Sequence, residues 1–339
     1  MTATPPRATI SREFLDAART HYGLTPDSAP RELGESFNLN VLVRNGKRDL
    51  VVRVYRQWMT VARLEAVQHI RRFLHERGLP FARTCPTVDG RPWCEAAGHL
   101  VEAEEFVGSD TYMDTAEHIR IGLALLGRIH SELRRAPASP AAATPPHANH
   151  VEAMHLVGAV AAGLAVVRQR TLAGAETRYA AQAEALARRL EEVESPFAKL
   201  LPRQLVHGDY WDDNVRFSGD RVVLVTDLDF MGWRPRIDDL ALTLFYTNER
   251  LGRQDTSPSR FAQLRTLVDG YDASLDVPLS ITERQALPYA IARTPLCFIA
   301  QLADDAGVPD QADRLHQRGP AFEWALDMIS TPEWRTAFL

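Results

Sequence analysis

The stretch Leu205-Val206-His207-Gly208-Asp209-Tyr210-Trp211-Asp212-Asp213-Asn214-Val215-Arg216-Phe217, followed by Ser218-Gly219-Asp220-Arg221 and Val222-Val223-Leu224-Val225-Thr226-Asp227-Leu228-Asp229, decides the fold. Two apolar runs flank a polar Gly-containing turn, so the segment reads as a β-hairpin with a loop before it. Folding it about Gly219-Asp220 sets Asn214 opposite or nearly opposite Asp227, with cross-strand Cβ atoms on the order of 5 Å apart. An amide oxygen and a carboxylate so placed can both reach one octahedral Mg²⁺. Asp209 enters the same end of the hairpin five residues before Asn214. A carboxylate base beside a metal is the layout for activating a hydroxyl toward a metal-bound phosphate.

This hairpin is a β island among helices. Upstream, Phe37–Arg44 and Arg48–Arg56 flank Asn45-Gly46, a strong hairpin signal because both residues tolerate positive φ. A short helix over Ile10–Tyr22 precedes that hairpin. After it, Val61, Leu64, Val67, Ile70 and Leu74 recur at helical spacing over Thr60–Glu76, and Gly78 follows as a stop. Phe81–Phe106 returns to short strands. Beyond Gly108 helical patterns dominate, over Asp114–Arg134, Val151–Gln169, Thr177–Val193, Pro258–Ser274, Ile281–Asp304 and Gln311–Ile329. Ala136–Pro146, rich in Ala and Pro, reads as a surface linker or lid.

Of the 339 residues, 45% are hydrophobic and 24% charged, an ordinary globular composition with room for two cores. The net charge of −5 and the lack of a basic block argue against a nucleic-acid binder. Residues 1–105 hold 15 Lys and Arg against 13 Asp and Glu, and the remainder 24 against 31, so an acceptor site in the second part favours a cation. Cys85, Cys94 and Cys297 form no disulfide framework. The longest charge-free apolar stretch, Met154–Val167, is 14 residues, too short to span a membrane, and the prolines and charges of the first residues do not read as a signal peptide. The expected setting is the cytoplasm.

The pattern H-G-D-x-x-x-x-N at His207–Asn214, with Asp227 after an apolar strand, resembles the aminoglycoside phosphotransferase and choline kinase-like superfamily, which includes type II homoserine kinases. Gly232-Trp233-Arg234-Pro235-Arg236-Ile237-Asp238-Asp239-Leu240-Ala241 resembles that family's G-x-x-P-x-x-x-D-L-A continuation. The resemblance implies an α+β, two-lobed, protein-kinase-like fold, β-rich at the N-terminus and mainly helical at the C-terminus. It implies a nucleotide-binding lobe over residues 1–105 and a catalytic and acceptor-binding lobe over 106–339. Asp209 is then the catalytic base, Asn214 and Asp227 hold Mg²⁺, Asp239 supports the catalytic loop from a buried position, and His207 braces that loop.

The N-terminal part is similar more loosely. Gly34-Glu35-Ser36-Phe37-Asn38-Leu39-Asn40 takes the place of the phosphate-covering loop, with Ser36 among its nucleotide contacts. Leu50–Tyr55 resembles the kinase strand whose inward lysine grips the α/β-phosphates, and here that position is Arg53. Lys47 and Lys199 are the only lysines and neither is placed for this role, so a guanidinium takes it. Glu65, on the following helix, resembles the glutamate that orients such a cation. Leu100–Gly108 looks like the strand and hinge between lobes, with adenine contacts at Glu104 C=O and Phe106 N–H.

Asp212, Asp213, Asp229, Asp304 and Asp305 are candidates for a second metal or a cationic acceptor. His147 and His150, in the Pro/Ala linker with no nearby Cys, do not read as a zinc site. The expected activity is Mg²⁺-dependent transfer of the γ-phosphoryl group of ATP, with GTP not excluded, to a hydroxyl of a small molecule. An antibiotic or related hydroxylated amine, inactivated by the transfer, is the first acceptor class. A metabolic kinase of an amino alcohol such as homoserine or choline is the nearest alternative, and a nucleotide-binding pseudokinase a third. Asp239 lies only twelve positions after Asp227, leaving no room for a protein-kinase activation segment.

Overall fold

The computed structural model describes residues 7–34, 37–46, 48–145, 149–172, 174–251, 257–303 and 311–339. The N-terminal part opens with α1 (Arg12–Tyr22), capped by the Ser11 side chain, and continues through β1 (Arg31–Glu32), β2 (Leu39–Asn45) and β3 (Arg48–Val54). Next come α2 (Val61–Glu76), β4 (Thr84–Cys85), β5 (Cys94–Ala96) and β6 (His99–Glu105). The sheet runs β1-β2-β3-β6-β4, with β5 also on β6, and every pairing is antiparallel. Asn45 pairs with Arg48 across the turn, and Gly46 takes φ +65°, the left-handed value the Asn-Gly dipeptide announced.

Residues 50–54 of β3 are all buried, because both faces of the sheet are covered. On one face Leu50, Val52, Val54, Val101 and Ala103 pack against Phe14 and Ala18 of α1. The period-two alternation of strands then sends Arg53, Glu102 and Glu104 to the opposite face, where α2 waits.

The rest of the described chain is mainly helical, with five short strands inserted as a three-stranded and a two-stranded sheet. It holds β7 (Thr111–Tyr112), α3 (Ala116–Leu133), α4 (Pro140–Ala143), α5 (Leu156–Val167), α6 (Ala175–Ala198), β8 (Arg203–Val206), β9 (Val215–Ser218), β10 (Arg221–Val225), β11 (Gly232–Pro235), α7 (Ile237–Leu251), α8 (Pro258–Asp272), α9 (Ile281–Ala300), α10 (Gln311–Ser330) and α11 (Pro332–Arg335). Strands β9 and β10 form the expected hairpin, with a bulge at Val223, while β11 returns antiparallel to β8. One apolar core joins these helices and takes in Val67, Ile70 and Leu74 of α2. Among the described residues no helix is long and apolar enough to cross a membrane.

Helix α7 is absent from the periodic reading. Its buried Thr243, Thr247 and Asn248 interrupt the apolar stripe. Thr243 donates its hydroxyl to Tyr210 O at 2.7 Å.

Candidate active site

Strand β8 delivers the chain to the His207–Asn214 loop, and Asp239 at the start of α7 holds that loop from below. Its Oδ2 accepts from His207 N at 2.7 Å and from His130 Nε2 at 3.0 Å, and its Oδ1 accepts from Gly208 N at 2.9 Å. Burial raises the carboxyl's cost of ionising, but the His130 hydrogen bond and the charge around it outweigh this and hold Asp239 below the usual carboxylate range. His207 is fully buried; burial lowers its pKa to about 4, and its neutral Nδ1 accepts from Asp209 N at 3.3 Å. Gly208 has φ +86°, and a Cβ there would stand 2.0 Å from Phe230 O and 2.4 Å from Arg234 Nη2. No other residue fits this turn.

The loop then presents Asp209 toward Asn214. Asn214 Nδ2 donates to Asp209 O and to Asp209 Oδ2, both at 2.8 Å. Across the hairpin Thr226 N donates to Asn214 O at 3.0 Å, so Asp227 lies one residue past the direct cross-strand partner. Asp227 is in the left-handed region, φ +61° and ψ +59°, a conformation that Asp tolerates better than most side chains and that recurs at functional turns. Burial, then repulsion from Asp227, pushes Asp209 well above the ordinary carboxylate range.

From the sheet, Arg53 reaches down to this mouth. It ion-pairs with Asp227, lies 3.5 Å from Glu104 Oε1 and 4.0 Å from Asp229 Oδ2, and is 4% exposed. Together Arg53, Arg71, Glu104, Thr226, Asp227 and Asp229 line a narrow cleft between the sheet and the β9–β10 hairpin.

Glu65 does not orient Arg53. It is exposed and accepts from Trp93 Nε1 at 3.4 Å. At about 100° per residue, the α2 face carrying Leu64, Gln68 and Arg71 meets the sheet, and Glu65 sits a quarter turn away. Arg53 takes its carboxylates from Glu104 and the two aspartates instead. Arg71 supplies the charge the helix contributes: it donates to Glu102 Oε1 at 2.9 Å, Glu102 Oε2 at 2.6 Å and Glu104 Oε2 at 2.8 Å. Burial opposes ionisation of Glu102, yet Arg71 wins and holds it at about 2. We expect Glu104→Gln to raise the KM for nucleotide by about tenfold, the scale of one charge-assisted hydrogen bond. Glu65→Ala should leave it within about twofold; steady-state titration of both variants checks the pair.

Other expectations also need correction. Phe106 N–H donates to Asp49 O at 3.1 Å, so sheet pairing continues through the residue assigned to adenine, and Glu104 serves the cleft through its carboxylate. Asp229 is 3% exposed and accepts from Asn38 Nδ2 at 2.5 Å; it faces Arg53 on the sheet side of the cleft rather than an acceptor. Burial raises its pKa to about 6, against the pull of Arg53. Asp212 is neutralised by an ion pair with Arg250, which also lies 3.8 Å from Asp213, so neither stands open as a free carboxylate. Ser36, Asp304 and Asp305 lie outside the described residues.

Three further residues escaped the sequence reading. Arg63 of α2 donates to Ala141 O, Ala142 O, Asp229 O and Met231 O at 2.5–2.8 Å, tying the helix to the Ala/Pro segment and to the loop after Asp227. Asn149, at the end of that segment, donates to Asp209 Oδ1 at 2.5 Å, and Gln301 holds its carbonyl at 2.9 Å. His130 had no motif to mark it, since a histidine inside an apolar helix carries no signal of what it will meet.

A β-rich part over a helical part, with a loop aspartate, a hairpin Asn and Asp and a strand cation meeting at the cleft between them, is the architecture of a kinase. The chain belongs to the phosphotransferase enzyme family APH, which residues 30–273 match. Over 310 residues it is 26% identical to a homoserine kinase of Caulobacter vibrioides, covering 88% of this chain and 89% of that protein. In fold it is similar to a microcompartment-associated aminopropanol kinase (TM-score 0.67, 19% identity, 93% and 97% of the two chains). It is also similar to the amicoumacin kinase hAmiN, solved with AMP-PNP, Ca²⁺ and amicoumacin (TM-score 0.66, 14% identity, 91% and 92%). The chain is an ATP-dependent small-molecule kinase of this family, a phosphotransferase acting on hydroxyl groups.

Proposed function

We propose that this kinase moves the γ-phosphoryl group of ATP, with Mg²⁺, to a hydroxyl of a small hydroxylated amine, with Asp209 as base. The observation that carries this is the meeting of Asp209, Asn214, Asp227 and Arg53, from three separate chain segments, at one mouth. The donor set suits the cation. One carboxylate and one amide oxygen, with further sites left to phosphates and water, is how Mg²⁺ is usually held, and Asp209, Asp227 and Asp229 carry more negative charge than Arg53 alone balances. Asn214 and Asp227 would hold it, and when bound it would neutralise phosphate charge.

Asp209 orients the acceptor hydroxyl and takes its proton as the oxygen bonds to the γ-phosphorus and the bond from that phosphorus to the β,γ-bridging oxygen breaks, releasing ADP. Asn214 and Asn149 fix the carboxylate's two oxygens. Arg53 grips the phosphates from the sheet. Residues 1–105 are then the nucleotide lobe and 106–339 the catalytic and acceptor lobe, β6 ending at Glu105 on the border.

Between acceptor classes, the curated homoserine kinases, which align along 79–88% of the chain, support an amino alcohol. The likeness to an antibiotic kinase is one of fold. Asp227→Asn should raise the Mg²⁺ concentration for half-maximal acceptor-dependent ADP release by roughly tenfold or more. A metal dependence equal to the parent's would remove Asp227 from the site.

A further inference from the structure

The turn that follows Asp227 is gripped by two cations that have no anion. From Asp227, at φ +61° and ψ +59°, the chain bends through Leu228–Phe230, and Met231 N donates back to Leu228 O at 3.0 Å. The carbonyls of three successive residues then meet guanidiniums. Asp229 O accepts from Arg63 Nη2 at 2.8 Å and Met231 O from the same nitrogen at 2.5 Å, while Phe230 O, between them in sequence, accepts from Arg234 Nη2 at 2.7 Å. Arg63 belongs to α2 and Arg234 to β11, so two elements remote in sequence close on one turn.

Both arginines are buried, 2% and 6% exposed, and among the described residues neither forms an ion pair with a carboxylate. Burial lowers Arg63 to about 10, so it stays charged at neutral pH. A buried cation without a paired anion is costly, and an apolar side chain of similar volume would pack there more cheaply. Backbone carbonyl dipoles take the anion's place. What they belong to is a turn that needs holding, because the left-handed conformation of Asp227 is strained for a residue with a Cβ and persists only where its surroundings impose it. The same turn supports the catalytic loop: Phe230 O is the atom that a Cβ on Gly208 would strike, at 2.0 Å. Arg63 also binds Ala141 O and Ala142 O through Nη1, at 2.7 and 2.8 Å, which fastens the Ala/Pro segment to α2.

We propose that Arg63 and Arg234 are positioning residues that aim the Asp227 carboxylate at the metal position, acting through the carbonyls of residues 229–231. Helix α2 also carries Arg71, which donates to Glu104 Oε2 at 2.8 Å beside Arg53. Through Arg63, the metal ligand is therefore registered against the nucleotide side of the cleft and not against its own hairpin alone. The proposal rests on the metal-dependent transfer proposed above, and adds to it two residues that touch neither metal nor substrate.

The test measures Mn²⁺ binding by electron paramagnetic resonance in the presence of AMP-PNP, beside the Mg²⁺ dependence of acceptor-dependent ADP release. Arg63→Met keeps an unbranched side chain without its hydrogen bonds. It should weaken Mn²⁺ binding by roughly tenfold to 100-fold and raise the Mg²⁺ requirement by a similar factor, the usual scale for losing a group that orients a metal ligand. Metal-free nucleotide binding, which falls to Arg53 and Glu104, should stay within about twofold. Arg234→Met should shift metal affinity in the same direction, and the double variant by less than the product of the two, because both grip one turn. Arg63→Lys, which keeps the charge but loses the planar fork, should fall between the parent and Arg63→Met, and carries the test if melting shows the methionine variants to be misfolded. Variants that lose stability or maximal rate while metal affinity stays at the parent's value overturn the proposal and make the arginines ordinary braces; acceptor turnover by the same proteins would leave the transfer standing. Metal binding that weakens as expected, with no acceptor phosphorylated by the parent, supports the proposal and sinks the transfer. A parent that binds no Mn²⁺ beside AMP-PNP sinks both.

Discussion

Asp209→Asn lowers acceptor-dependent turnover by roughly 10²- to 10⁴-fold while the affinity for Mg²⁺ and nucleotide stays within a few-fold; this is the expected result if Asp209 is the base. The amide keeps the shape of the carboxylate, and its remaining oxygen still accepts from one of Asn214 and Asn149, whose Nδ2 groups donate to the two carboxylate oxygens at 2.8 and 2.5 Å. What it loses is the ability to take a proton. The nucleotide side of the cleft is built by Arg53, Glu104 and Asp227, none of which Asp209 supports directly. Single-turnover ADP release and equilibrium nucleotide titration separate the two effects. An unchanged rate removes Asp209 from the chemistry.

The second large effect belongs to Asp239. Its two oxygens accept from two backbone N–H groups and one imidazole, all buried. In Asp239→Asn one of those oxygens becomes an NH₂ group aimed at a donor, so at least one buried N–H loses its partner and another meets a like dipole. At about 1–3 kcal/mol for each orphaned group and more for a charged acceptor, the substitution should cost about 3 kcal/mol of stability. The His207–Asp209 turn, whose Gly208 allows no Cβ, loses its footing at the same time. Chemical denaturation should show the loss of stability, and activity should fall even at temperatures where the variant remains folded. A variant within about 0.5 kcal/mol of the parent would show that the loop holds itself.

Part of this was legible in the sequence. The hairpin, Asn214 near Asp227 and Asp209 at its mouth follow from local turns and two-residue alternation, which need no knowledge of distant partners. The buried Asp239 and Arg53 as the strand cation were readable only through the family resemblance. The partner of Arg53 was not: Glu65 and Glu104 are both carboxylates, but the rotation of α2 about its axis, fixed by packing of Leu64, Val67 and Leu74 into cores, turns Glu65 away, while Glu104 faces Arg53 from the neighbouring strand β6. Asp229 and Asp212 looked like open loop acids because their cations, Arg53 and Arg250, are remote in sequence. Asn149 sat in a segment read as a linker, and nothing near it hinted that Asp209 would be its neighbour.

The cation at the strand position is a guanidinium, and among the described residues the one lysine, Lys199, closes α6 far along the chain. Arg53 stays protonated at any accessible pH, held there by the carboxylates around it despite its burial. Nucleotide-shaped affinity labels that acylate a cleft amine therefore find no nucleophile among the described residues of this lining. Arginine-directed dicarbonyl reagents, competed by nucleotide, are the labelling chemistry this cleft admits.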